Sequence, residues 1–323
     1  MPAVLTHDFF GRDAFDMVAA ELGLTTSDER DAFLLGNQGP DPLFYLVAAP
    51  WVGSQNRMGG RMHHEQTPKL LASLREAVET VPTSERGVAV AYAAGFLCHY
   101  LLDSTMHPLV FGQQYALCDA GVDGLTRADG SRVHQQIEKD FDEMVLFTKT
   151  GETIATYKPY RKVLRASDKV LATIDKLYFY ANLWTYDQSV DLDVFTQATK
   201  AFRLMQRVFY APGAAKRRVW VGIEGLVGKG GYSQYDAMAH SVRRETVSAF
   251  DNHEHLDWEN PFTGAHTTES FWDLYEEAQA RVFDAERLFF SEGFDQERAR
   301  ELSGDLNFDG QPLDADGLTD DEA

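Results

Sequence analysis

Thiols, basic side chains and long apolar runs are all scarce in this chain, and each shortage excludes something. Only two cysteines, Cys98 and Cys118, occur in 323 residues. They make no disulfide framework, and their usage fits a reducing compartment. Lysine and arginine number 30 against 50 aspartates and glutamates, a formal net charge of −20 at pH 7. A field of that sign repels nucleic-acid backbones and anionic lipid surfaces at long range, so no nucleic-acid partner is expected. The most apolar run, residues 88–102, is shorter than the roughly 20 residues that cross a bilayer, and it contains His99. No transmembrane segment is expected, and membrane contact is at most transient. Residues 1–8 have no basic stretch followed by an apolar core and cleavage site, so the expected location is cytoplasmic. Fixed-period repeats and a Ser/Pro-rich linker are missing as well.

What is present is ordinary globular composition, 44% hydrophobic and 25% charged, in a chain long enough to bury a large core. Apolar residues recur at helical spacing: Phe195, Ala198, Phe202, Met205 and Phe209 form one stripe, and Phe271, Leu274, Ala278, Val282, Ala285 and Phe289 another. Strand alternation does not recur, so the expected class is all-α, with roughly ten helices. Asp28 with Asp31, and Thr267 with Ser270, read as helix starts. Gly/Pro clusters at 36–42, 50–60, 121–130, 212–213, 228–231 and 260–264 read as loops between helices. The expected organisation is a single all-α domain over 1–303, followed by an acidic tail over 304–323. That tail holds seven acidic residues and no basic ones, the composition of a solvated, poorly ordered segment. Within it Asp305, Asn307, Asp309, Gly310 and Asp316 imitate a calcium loop, but Pro312 and Leu313 fit that loop badly.

Six of the ten histidines lie between His7 and His134. In the apolar stretch 95–108, His99, Asp103 and His107 fall at i, i+4 and i+8 and share one face of a helix. Stacked polar groups on a buried face need a charge to offset their desolvation, and a metal supplies it. His134, Glu138 and Asp142 repeat by four in the same way. Alone, that series is commonly a surface feature. Joined to the first, it makes half of a multi-metal box, since imidazole and carboxylate are the ligands zinc takes where thiolates are lacking.

These elements carry a resemblance. Thr6-His7-Asp8-Phe9-Phe10-Gly11, Gly36-Asn37-Gln38-Gly39-Pro40-Asp41-Pro42-Leu43-Phe44-Tyr45, Met62-His63-His64, the 95–108 stretch and the series from His134 to Glu138 occur in the order typical of zinc-dependent phospholipase C proteins. The chain most resembles the intracellular bacterial branch; the catalytic domain of glycosylphosphatidylinositol-specific phospholipase D is more distantly similar. The motif-bearing part covers residues 5–145, with metal ligands within 7–138 and a helical extension over 150–303. The resemblance implies a helical bundle around a cluster of two or three zinc ions. Asp41, His63 (with His64 the alternative), His99 and Asp103 would hold one ion, and His107, His134 and Glu138 a second. His7 and Asp103 would hold a third, which makes Asp103 a bridge. Asp41 would also serve as general base toward the attacking water.

Two departures from the pattern matter. Secreted members give their third zinc the terminal amine of a Trp, whereas this sequence begins Met1-Pro2, close before His7. The secreted enzymes and single-strand nucleases also place the next His six residues after the bridging Asp, whereas Asp103 to His107 is four. The implied function is therefore metal-dependent hydrolysis of a phospholipid or a small related phosphodiester. Alternatives are a phospholipase D-like or nuclease phosphodiesterase, or a non-catalytic zinc-binding protein. Other candidates read more plainly. His253 and His255 suit a polar interhelix loop, Tyr178, Phe179, Tyr180, Trp184 and Tyr186 suit core packing, and the Gly-rich 225–231 stretch lacks the Gly-Lys-Ser/Thr ending of a phosphate loop.

Overall fold

The computed structural model describes residues 3–48, 55, 57–121, 125–210, 242–314 and 317–319. Among them the chain is all-α. Twelve helices follow in order: α1 (Val4–Leu22), α2 (Ser27–Gly36), α3 (Met58–His64), α4 (Thr67–Thr80), α5 (Arg86–Asp119), α6 (Gly130–Thr150), α7 (Ile154–Tyr157), α8 (Pro159–Lys162), α9 (Asp168–Tyr186), α10 (Val194–Phe209), α11 (Phe271–Phe289) and α12 (Gln296–Ser303). A 3-10 segment, Asp41–Ala48, follows α2. Most of the two apolar stripes is core: Phe195, Ala198, Phe202, Phe271, Ala278, Val282 and Phe289 are fully buried, Met205 and Ala285 are partly exposed, and the Phe209 side chain lies outside the described residues. The start of α11 is capped by Ser270, whose hydroxyl accepts from the Asp273 amide at 3.3 Å. The start of α2 differs from expectation. Thr26 is its cap, because its hydroxyl accepts from the Glu29 amide and the Glu29 carboxylate accepts from the Thr26 amide, a reciprocal pair that Asp28 does not make.

The chain forms two compact units, each drawing on early and late sequence. One comprises Met1–Phe9, Pro108–Val163 and Leu204–Leu274. Within it α6 is the organiser: Asp142 Oδ1 accepts from the amides of Leu5 and Thr6 at 3.0 and 2.7 Å, and so caps the opening turn of α1. Asp140 accepts from Arg243 and Ser248, and the Phe141 and Phe271 rings lie 4.6 Å apart. The 260–264 breaker is the turn of a small antiparallel hairpin, β1 (Trp258–Glu259) with β2 (His266–Thr267), rather than an interhelix loop. Two-residue strands leave no alternation to detect, while Asn260 accepts from the amides of Phe262 and Thr263 and closes the turn.

The second unit comprises Phe10–His107, Leu164–Arg203 and Tyr275–Ala323. Here α4 packs on α9 and α12, and α2 on α9. α2 also meets the first half of α5 backbone to backbone. A Cβ on Gly95 would lie 2.1 Å from the Phe33 carbonyl oxygen, and one on Gly36 2.3 Å from that of Tyr92. Only glycine permits so close a crossing.

The expected solvated tail is not what forms after α12. Asn307 and Phe308 are fully buried, and Phe308 packs edge-on against Tyr100 and Phe96 at 5.0 and 5.9 Å. The Asn307 side chain accepts from the amides of Asp309 and Gln311 at 2.8 and 2.9 Å. This turn uses the oxygen that a calcium loop would need for its ion, and Asp316 lies outside the described residues, as does the 225–231 stretch. One large aromatic with a place in the core outweighs the solvation of its acidic neighbours.

Candidate metal centre

Helix register sets His99 and Asp103 one turn apart on α5, and both are buried. His99 Nε2 lies 3.1 Å from Asp103 Oδ2. Its Nδ1 is 3.2 Å from the Asn37 carbonyl oxygen. A carbonyl only accepts, so Nδ1 carries the proton and Nε2 is the nitrogen available to an ion. The same logic holds two turns further on, where His107 Nδ1 is 2.9 Å from the Phe308 carbonyl oxygen.

Asp41 is delivered by the Pro-flanked turn that precedes its 3-10 segment. Gly39 has φ +47°, and a Cβ there would lie 2.1 Å from His99 Cδ2, so the turn can press on the imidazole only because it carries glycine. The Gly39 carbonyl accepts from the hydroxyls of Tyr178 and Tyr92 at 2.9 and 3.3 Å. Burial pushes both phenols well above their ordinary pKa, which keeps them donors.

α3 brings His63 to the same place. Its Nδ1 lies 2.6 Å from the Gly59 carbonyl oxygen, and its Nε2 is 3.2 Å from Asp41 Oδ1 and 3.9 Å from Asp103 Oδ2. Burial opposes a charge on His63, yet the hydrogen bond to Asp41 and the charges of Asp41 and Asp103 hold its pKa above the ordinary histidine value. His64 is 48% exposed, and its Nε2 pairs with Asp309 Oδ2 at 3.0 Å. Of the two adjacent histidines it is therefore His63 that reaches the buried carboxylates.

Donor atoms of His63, His99 and Asp103 lie within 4.8 Å of one another. Zinc ligands each sit about 2 Å from their ion, so neighbouring donors on one ion are about 3–4 Å apart. Two imidazoles with their far nitrogens tied to carbonyls, facing two buried carboxylates, suit a divalent cation by charge and by donor type.

Of the other expected ligands, His107 belongs to the second unit, and His7, His134 and Glu138 to the first. In the first unit His7 is buried on α1. On α6, His134 Nε2 is 3.6 Å from Glu138 Oε1, and its Nδ1 is 3.0 Å from Gln114 Oε1. Asp142, next in that register, is committed to the α1 cap instead. His253 pairs with the Asp251 carboxylate at 2.6 Å and His255 Nδ1 lies 3.1 Å from the Thr268 carbonyl oxygen, so both imidazoles are engaged within a polar loop. Tyr178 is core, stacked on Phe195 at 4.5 Å. Sequence reasoning missed the Asn37 carbonyl, the Tyr92–Tyr178 support under Gly39, and residues 307–309. Gly39 before Pro40 and the lone Phe308 in an acidic stretch were the only signals.

The family model described as zinc-dependent phospholipase C matches residues 6–192. The chain belongs to this family. As a zinc-dependent phospholipase C family member, it falls among hydrolases that require metal and act on phospholipid. The match takes in every expected ligand from His7 to Glu138 and ends well before residue 307. No match was found among curated proteins or among solved structures. No helix among the described residues is long and apolar enough to cross a membrane.

Proposed function

We propose that the protein is a metal-dependent phosphodiesterase that hydrolyses a phospholipid, or a small phosphodiester derived from one, by phospholipase C-like attack of a zinc-activated water. Asp41, His63, His99 and Asp103 hold one ion in this reading. His7, His107, His134 and Glu138, taken from the family resemblance, supply the ligands of one or two more. The observation that carries the reading is the buried His63–His99–Asp103 cluster, in which both far nitrogens are committed to carbonyls. Bound zinc would lower the pKa of an attached water toward neutrality and offset phosphate charge.

The chain's own groups do the rest. The Gly39 turn, held by two tyrosine hydroxyls, aims the Asp41 carboxylate. One Asp41 oxygen faces His63, and its other oxygen is the acceptor for a proton leaving the attacking water. Asn37 and Gly59 fix the two imidazole planes. The two free, buried cysteines fit a reducing, cytoplasmic setting.

The test removes metal by chelation and follows hydrolysis of an aryl phosphodiester and of phosphatidylcholine vesicles. Activity should vanish with the metal and return with zinc, while His99→Ala stays inactive. Turnover that survives verified metal removal would overturn the enzyme reading in this form.

A further inference from the structure

The turn at 307–309 touches the proposed metal centre at four points, all within the second unit. The Phe308 amide donates to the His63 carbonyl at 3.1 Å. The Phe308 carbonyl accepts a hydrogen bond from His107 Nδ1 at 2.9 Å. The Phe308 ring lies 5.1 Å from the His63 ring and 5.8 Å from that of His99. Asp309 places Oδ2 3.0 Å from His64 Nε2 and Oδ1 3.5 Å from His107 Nδ1.

The turn is also stiff. Asn307 closes it with two amide bonds, and the Asn307 amide donates to the Gln311 carbonyl at 2.9 Å. The Gly310 amide returns to the Asn307 carbonyl at 3.1 Å. Below it, the Tyr100 hydroxyl lies 3.1 Å from the carbonyls of both Ser303 and Leu306.

We infer that Phe308 and Asp309 are positioning residues of the metal centre, holding the imidazoles of His63 and His107 in the orientation that ligation requires, with His64 anchoring the Asp309 carboxylate. This rests on the proposed reading of His63, His99, Asp103 and His107 as metal ligands. A histidine ligand whose far N–H is held by a carbonyl or carboxylate presents its other nitrogen in one tautomer and one direction, and outer partners of that kind are typically worth about 10–100-fold in metal affinity. Phe308 and Asp309 supply that outer contact from a segment some 200 residues beyond the ligands, outside the stretch matched to the family. The Asp309 carboxylate acts through His64 and His107.

The experiment uses the full chain and zinc itself. Wild type, Asp309→Ala, Asp309→Asn, His64→Ala and His99→Ala are stripped of metal and titrated with zinc against a chromophoric chelator. Each is then loaded with cobalt for its visible absorption spectrum, and the metal-free forms are melted. Asp309→Ala should bind zinc about 10–100-fold more weakly, with a changed cobalt spectrum and a metal-free melting temperature close to wild type. Asp309→Asn should recover part of that affinity, because an amide oxygen still accepts. His64→Ala, at a half-exposed position, removes the Asp309 anchor from the other side, should shift in the same direction, and decides the matter if Asp309→Ala does not fold. Wild-type zinc affinity and cobalt spectrum in Asp309→Ala, or in His64→Ala if the first is unfolded, would overturn the inference. Wild-type affinity in His99→Ala would instead overturn the metal-centre reading beneath it.

Discussion

Glu286 shows at the scale of one residue how the second unit departs from an apolar core. It is buried on α11, and burial holds its carboxyl well above the usual carboxylate range. Cys98 Sγ lies 3.8 Å from Oε1, and Oε2 has no hydrogen-bond partner among the described residues. The folded chain therefore keeps this proton above the pH of about 4.3 at which an unfolded Glu ionises. With the folded pKa raised, its contribution to stability is complete below the unfolded value and fades as pH rises toward the folded one. Glu286→Met removes that term. The stability of the variant relative to wild type should rise between pH 5 and pH 8, by up to about 1.4 kcal/mol per pH unit while the folded carboxyl stays protonated. Urea unfolding at the two pH values checks it; an equal difference at both would show that Glu286 is ionised in the fold. Legibility was uneven at this scale. His99 and Asp103 could be read because four-residue spacing on an apolar helix is a local signal. Glu286 replaced Ala285 as the buried member of its turn, and no periodicity announces a buried acid.

Among the elements, α5 carries most of the design, and its glycines test it. Gly95 sits where a Cβ would strike the Phe33 carbonyl oxygen at 2.1 Å, whereas at Gly112 the nearest neighbours would be at 3.7 Å. Gly95→Ala should destabilise by about 1–3 kcal/mol or more, as overpacking does when the obstacle is backbone. Gly112→Ala should be neutral or stabilising by up to about 1 kcal/mol, since alanine is the better helix former. Thermal melts of the two variants decide; similar losses would mean that α2 and α5 do not cross so closely. The long helices were legible from their stripes, and Ser270 from its position before one of them. The hairpin was not, because its strands are two residues each. Nor was the 307–309 turn, whose stabilising partners Tyr100 and His107 are about 200 positions away. Composition reports solvation of the acidic stretch but is blind to one aromatic with a distant socket.

For the whole molecule, the all-α class and the family were readable because helical periodicity and ordered motifs are local properties. The division into two units was not, because each combines three stretches far apart in sequence. The net charge of −20 bears on function in one respect. A phosphodiester approaching so acidic a chain gains local attraction where a cation is concentrated, and the His63–His99–Asp103 cluster is a group that could hold one. The central claim is that this cluster holds zinc. The most direct measurement is an anomalous difference map, at the zinc absorption edge, from crystals of the zinc-loaded full-length protein whose activity has been restored by that zinc. A peak is predicted between Nε2 of His63, Nε2 of His99 and the carboxylate of Asp103. Zinc bound elsewhere, with no peak among those three side chains, would contradict it.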